Sequence, residues 1–161
     1  MPEGICELIV EIPKGSRNKY EWDPDRNAMR LDRRLLSATT YPADYGFFPN
    51  TLGEDGDPLD GLVLLDESMF PGCIVPVRPV GVFWMEDEKG PDAKVICLPE
   101  RDPLWDHIQK LDDLPEVLLK EIEHFFDVYK TLEEKKTSTH GFEGKNTAWK
   151  EIKAAQERFK G

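Results

Sequence analysis

From Ile5 to Ile12 the chain alternates, with Cys6, Leu8, Val10 and Ile12 on one face and Glu7, Ile9 and Glu11 on the other. A period of two predicts a strand with one face turned to a core. The same reading marks Lys19–Trp22, Met29–Leu36, Gly61–Leu65, Ile74–Val77, Val80–Glu86 and Ala93–Leu98 as strands. Pro-Lys-Gly, Asp-Pro, Pro-Gly and Gly-Pro turn formers punctuate them. Short strands at this spacing favour a small barrel over an open sheet with crossover helices. In the last third the period changes. Asp113 reads as a helix N-cap, with Pro115 in the first turn and Glu116 complementing the dipole. Leu118, Ile122, Phe125 and Tyr129 then form one apolar stripe. After a polar loop containing Gly141 and Gly144, Ala148, Ile152, Ala155 and Phe159 repeat the pattern. The expected class is mainly β with α: a β-barrel with two C-terminal helices packed on it, built as one domain over residues 1–161.

Composition narrows the partners. Hydrophobic residues at 39% and charged ones at 33% give the balance of a soluble globular chain. The apolar run Leu62–Leu65 is far too short to span a bilayer, so no membrane partner is expected. No basic segment followed by an apolar stretch opens the sequence, which argues against a signal peptide. Cys6, Cys73 and Cys97 are scattered and lack metal-ligand spacing, which reads as reduced thiols in a cytoplasmic protein. A net charge of −11 disfavours nucleic acid, because a phosphate backbone demands a basic surface. A small phosphate substrate meets the same repulsion unless divalent cations stand between it and the protein's carboxylates.

The densest chemistry is Asp55-Gly56-Asp57-Pro58-Leu59-Asp60. Carboxylates this crowded repel one another, and hard cations such as magnesium accept oxygen ligands and relieve that repulsion. In an extended stretch Asp55 and Asp57 point to the same side, about 6.6 Å apart. Pro58 fixes φ and starts a bend that brings Asp60 toward them, while Gly56 adds backbone freedom. Asp, Gly and Pro also build solvated turns, so the spacing alone leaves both readings open. An EF-hand loop starting at Asp55 needs Asp or Asn where Leu59 stands and Gly where Asp60 stands. No Walker sequence and no His-Glu-x-x-His zinc motif are present, and His107, His124 and His140 are dispersed. A second acidic pair, Asp87 and Asp92, flanks the turn Glu88-Lys89-Gly90-Pro91, with Lys94 nearby. That turn would close a hairpin and bring both acids to one end of the sheet.

Together these residues carry a resemblance. The chain resembles the family I soluble inorganic pyrophosphatases of bacterial type from about Ile5 to Lys130. The Asp-x-Asp-Pro-x-Asp motif is present as Asp55, Asp57, Pro58 and Asp60. Around it stand Glu11 in Val-Glu-Ile-Pro, Lys19-Tyr20-Glu21, Arg33, Tyr41-Pro42, Tyr45-Gly46, the Asp87, Asp92 and Lys94 segment, and Tyr129-Lys130. The resemblance implies a flattened OB-like five-stranded barrel with two helices. It also implies hydrolysis of pyrophosphate to two phosphates with several magnesium ions, and a homohexamer. By the same resemblance Asp55, Asp60 and Asp92 hold activating metals, with Asp60 bridging two. Asp87 and Asp92 hold one that arrives with substrate, and Glu11 another, partly through water. Asp57 corresponds to the group that deprotonates the attacking water, a role that Asp92 also carries in some readings. Lys19, Arg33, Tyr45, Lys94, Tyr129 and Lys130 correspond to phosphate ligands, and Glu21 and Tyr41 to supporting members. After Lys130 the agreement fades, and a contribution from Lys135 or Lys136 does not follow from it.

The chemistry suits these residue types. Pyrophosphate is a polyanion, so its attack needs charge neutralised on both the nucleophile and the leaving phosphate. Two ions about 3.5–4 Å apart share and acidify one water, a carboxylate takes its proton, and Lys and Arg grip the oxygens. Two other classes compete. A phosphatase working through an aspartyl-phosphate needs a nucleophilic Asp after an apolar strand, and Thr51-Leu52-Gly53-Glu54 precedes Asp55 instead. A binding module using metal only for structure would show a basic groove with exposed aromatics for nucleic acid, which the composition disfavours.

Overall fold

The computed structural model describes residues 3–161. They run through β1 (Cys6–Ile12), β2 (Asn18–Asp23), β3 (Ala28–Arg34), β4 (Asp44–Phe47), β5 (Asp60–Val63), β6 (Ile74–Asp87) and β7 (Gly90–Pro99). Helix α1 (Glu116–Val128), strand β8 (Ser138–Gly144) and helix α2 (Lys145–Lys160) follow. Strand order β1-β4-β5-β7-β6, with β6 returning to β1, closes a five-stranded ring of the kind the short strands predict. The pairing of β5 with β7 is parallel, and the others around the ring are antiparallel. Strand β8 extends the sheet along β6, and β2 with β3 forms a separate ribbon.

Several elements differ from the sequence reading. Ile74–Val77 and Val80–Glu86 are one strand, β6, despite Pro76 and Pro79. A register shift between Pro79 and Gly81 absorbs the missing ladder donor, as bulges do. Strand β4 is short and almost wholly buried, so its pattern shows no alternation to read. Strand β8 occupies the expected polar loop. It is half-exposed and takes a positive φ of 84° at Gly141, and only Phe142 packs firmly, 4.8 Å from Phe83. Asp113 does not cap α1. Its carboxylate accepts from the backbone N–H of Gln109 (2.9 Å) and Lys110 (3.2 Å) around a short 3-10 turn, and Pro115 stands at the helix N-cap.

Both faces of the ring strands are covered, which is why Leu62–Leu65 and Val95–Leu98 read as unbroken apolar runs. Leu62, Phe83 and Ile96 pack with Ile122, Phe125 and Phe126 of α1 in one cluster. Val63, Val82 and Val95 pack with Ala148, Ile152 and Ala155 of α2 in the other. Phe159, placed on the α2 stripe by spacing, is 53% exposed, because the helix end runs past the sheet to the rim of a cleft.

Candidate active site

The parallel pairing sets Asp60 of β5 opposite Lys94 of β7. Lys94 is 2% exposed, and a lysine so deep needs partners for its charge. Its ammonium donates to Asp60 Oδ2 (2.9 Å), Asp92 Oδ2 (2.8 Å) and the Tyr45 hydroxyl (2.7 Å), and Tyr45 in turn donates to Asp60 Oδ2 (2.6 Å). Burial alone would lower the Lys94 pKa, but Asp60 and Asp92 outweigh it and hold the group well above the usual lysine range. Burial raises Asp92, with the charges of Asp60 and Asp55 adding to it and Lys94 opposing. Glu11, on the neighbouring β1, accepts from the Trp22 N–H at 2.9 Å. Burial and the Asp60 charge push its carboxyl up to about 8.

The segment between β4 and β5 carries the other aspartates in a turn, one of the two conformations that the spacing left open. The Asp57 N–H donates to Asp55 Oδ1 (3.0 Å), the Gly53 N–H donates to the Asp57 carbonyl (2.6 Å), and Gly56 has a φ of 90°. Thr51 pins the base of this loop, accepting from the Leu59 N–H at 3.0 Å. Burial raises the Asp55 carboxyl, and the nearby charges of Asp60 and Asp57 add to it. Asp57 is more than half exposed and pairs with Lys89 at 2.9 Å.

Strands β6 and β7 form the predicted hairpin, whose tip brings Asp87, Glu88 and Lys89 to the same opening. Lys130, just past α1, reaches Asp87 (3.5 Å) and Glu88 (3.6 Å). On the opposite ribbon Lys19 lies between Glu21 (3.2 Å) and Asp32 (3.7 Å). Arg33 pairs with Asp32 (2.6 Å) and with Glu133, its Nε lying 2.7 Å from Oε1 and its Nη2 donating to Oε2 at 3.4 Å.

Most of these groups line one cleft of about 800 Å³, in which carboxylates outnumber cations. It gathers Glu11, Lys19, Glu21, Arg33, Tyr45, Asp55, Asp57, Asp60, Asp87, Asp92, Lys94, Tyr129 and Lys130. Tyr41 is the exception. It is buried behind the wall, its ring 5.4 Å from that of Tyr45 and 4.6 Å from that of Phe125. Among the described residues no three His, Cys, Asp or Glu side chains converge on one point; Lys94 joins Asp60 and Asp92, and backbone N–H groups engage Glu11 and Asp55. The donor set nevertheless fits a hard divalent cation: it is all oxygen, and burial, with neighbouring carboxylate charges adding to it, raises the Glu11, Asp55 and Asp92 carboxyls.

The family model for inorganic pyrophosphatase matches residues 8–160. The chain belongs to the inorganic pyrophosphatase family. It is 52% identical to the inorganic pyrophosphatase of Methanosarcina mazei over 152 residues, covering 94% of this chain and 90% of that one. The crystal structure of the Thermus thermophilus inorganic pyrophosphatase superposes with a TM-score of 0.95 at 49% identity, covering 99% of this chain and 93% of that one. A truncated Trypanosoma cruzi vacuolar soluble pyrophosphatase, solved in complex with PPi, matches with a TM-score of 0.87 at 26% identity over 99% of this chain and 70% of that one. The protein is therefore an inorganic diphosphatase that hydrolyses pyrophosphate, in a metal-dependent family. Among the described residues no helix is long and apolar enough to cross a membrane.

Sequence reasoning missed part of the lining of this diphosphatase cleft. Lys89 reads only as a turn residue before Gly90-Pro91, yet it holds Asp57. Lys135, which the motif pattern does not include, lines the cleft and pairs with Glu88 at 3.6 Å. Asp32 and Glu133, which orient Arg33, lie far apart in the chain, and no local signal links them.

Proposed function

We propose that the enzyme hydrolyses pyrophosphate by direct in-line attack of water, with magnesium as the metal and without a phosphoenzyme. One observation supports this most: the cleft brings carboxylates from β1, the Asp55–Asp60 segment and the β6–β7 hairpin opposite cationic side chains of β2, β3 and the end of α1. Glu11, Asp55, Asp60, Asp87 and Asp92 are the residues that would hold the metal. When bound there, magnesium neutralises the polyanion and acidifies water.

Asp57 is the proposed base. It is the most exposed of these carboxylates, so it can reach a water that the buried ones cannot. The water oxygen forms the new bond to phosphorus while the bridging P–O bond breaks, and Asp57 takes the proton. The departing phosphate keeps the bonding pair, and Lys19, Arg33 and Lys130 neutralise its charge. Asp92 is the alternative base; both carboxylates are paired with a lysine, but the Asp57–Lys89 pair is exposed and the Asp92–Lys94 pair is buried. Lys94 and Tyr45 both donate to Asp60 and orient its carboxylate, and their own contact with phosphate oxygens would require partial release from it. Tyr129, beside Lys130, supplies a further donor, while Glu21 steadies Lys19 and Tyr41 backs Tyr45 from the core.

A cytoplasmic homohexamer completes the proposal. Exposed Phe70 (69%) and Ile74 (60%) offer apolar surface for such an assembly, and a sedimentation mass equal to the 18.5 kDa monomer would remove it. The mechanism is tested by turnover in oxygen-18 water with an acid quench of enzyme on radiolabelled pyrophosphate. One labelled oxygen per pyrophosphate cleaved and no labelled protein support it, whereas a trapped phosphoenzyme contradicts it.

A further inference from the structure

Helix α2 lies outside every motif, yet it holds the segment that carries the aspartates. The Leu52 N–H donates to the Ala155 carbonyl at 2.9 Å, and Arg158 Nε donates to the Leu52 carbonyl at 2.8 Å. Both backbone groups of Leu52 are thus tied to one helix, just before Gly53 starts the aspartate turn. Arg158 is itself fixed by Glu151, two turns back on the same helical face, through a 2.7 Å bond from Nη2 to Oε1. The Arg158–Leu52 bond reaches across 106 residues of sequence, and the Glu151 side chain is only 13% exposed. Glu151 also lines a cavity of about 10 Å³ that backs Asp55 and Asp92.

We infer that Arg158, braced by Glu151, is a positioning residue that sets the Asp55–Asp60 segment for cation binding. Its guanidinium is suited to this because a planar fork serves a carbonyl and a carboxylate at once. A lysine carries the charge but lacks that fork. Arg158 touches no reacting atom; it acts through Leu52 and the turn that follows. The surrounding α2 packing by Ala148, Ile152 and Ala155 supplies the rigid base against which the clamp works.

The inference rests on the magnesium reading above, and the test separates the two. Magnesium binding is measured by calorimetry on the wild type, Arg158→Ala and Arg158→Lys, beside urea unfolding and the magnesium dependence of phosphate release. Direct partners of metal ligands alter affinity by about 10–100-fold; Arg158 acts one step further out, through Leu52, so Arg158→Ala is expected to weaken magnesium binding by up to about tenfold. Arg158→Lys should fall between it and the wild type. At saturating magnesium, kcat should stay within about twofold of the wild type, because the reacting groups are intact. A folded variant with unchanged magnesium affinity overturns the inference and leaves Arg158 merely structural. If Arg158→Ala fails to fold, Arg158→Lys carries the same test, and unchanged affinity there overturns it equally. A wild type that binds no magnesium contradicts the underlying reading instead.

Discussion

Lys94 and Asp60 are register partners across the parallel β5–β7 pairing, and the ammonium sits 2.9 Å from the carboxylate. Backbone pairing therefore places the cation at the centre of the acidic cluster. Asp92, two residues before Lys94, shares the same strand face and the same ammonium at 2.8 Å. Removing one partner from a buried ionic group leaves uncompensated charge, which costs more than the pair's own net worth. Lys94→Met is expected to lose on the order of 3 kcal/mol in urea unfolding with chelator present. An unchanged midpoint would show that Asp60 and Asp92 do not depend on it.

Gly46 answers a different constraint. A Cβ there would overlap the Ile9 carbonyl oxygen of β1 and press on the Leu8 side chain. Strands β1 and β4 approach too closely at this pair for any side chain. Gly46→Ala is expected to cost about 3 kcal/mol, the upper end of the overpacking range, read from the denaturation midpoint, because the neighbour is backbone and cannot rotate away. Wild-type stability would mean that the two strands can part there.

Asp113 gives a pH dependence whose sign is fixed by its bonds. The Gln109 and Lys110 N–H groups hold its carboxyl below the usual carboxylate range. A lowered folded pKa means that its stabilising contribution is present above the unfolded value and fades as pH falls through the folded one. Asp113→Ala should therefore lower the urea midpoint at pH 7, and the difference should shrink toward the acid end of a pH series. A difference that stays constant with pH would assign the effect to shape rather than charge.

Asp57 is the residue on which the proposed proton transfer turns. Asp57→Asn keeps the volume and removes the base, and general-base groups contribute about 10²–10⁴-fold. Turnover should fall by that order while magnesium binding and fold persist. Near-normal turnover would move the role to Asp92.

The fold was legible wherever burial was one-sided or continuous. Strand β1 shows in its alternation, β7 in its unbroken apolar run, and α1 in its stripe. Strand β4 was illegible because Asp44, Tyr45 and Gly46 are buried for reasons of pairing rather than hydrophobicity. Asp44 illustrates this: its carboxylate accepts from the N–H groups of Lys14 (2.7 Å) and Met69 (2.8 Å), partners that no local pattern announces. The cleft residues could be named from motifs, since each short motif keeps its spacing in sequence. Long-range supports could not. Lys89 to Asp57, Arg33 to Glu133 and Arg158 to Leu52 join segments whose proximity exists only after folding.

Metal-dependent attack on pyrophosphate in this one cleft is read from phosphate release by purified protein, with magnesium and with excess chelator. Fast release that disappears with chelator is the predicted result. Release that persists at the same rate in chelator, or none from folded protein in magnesium, would contradict it.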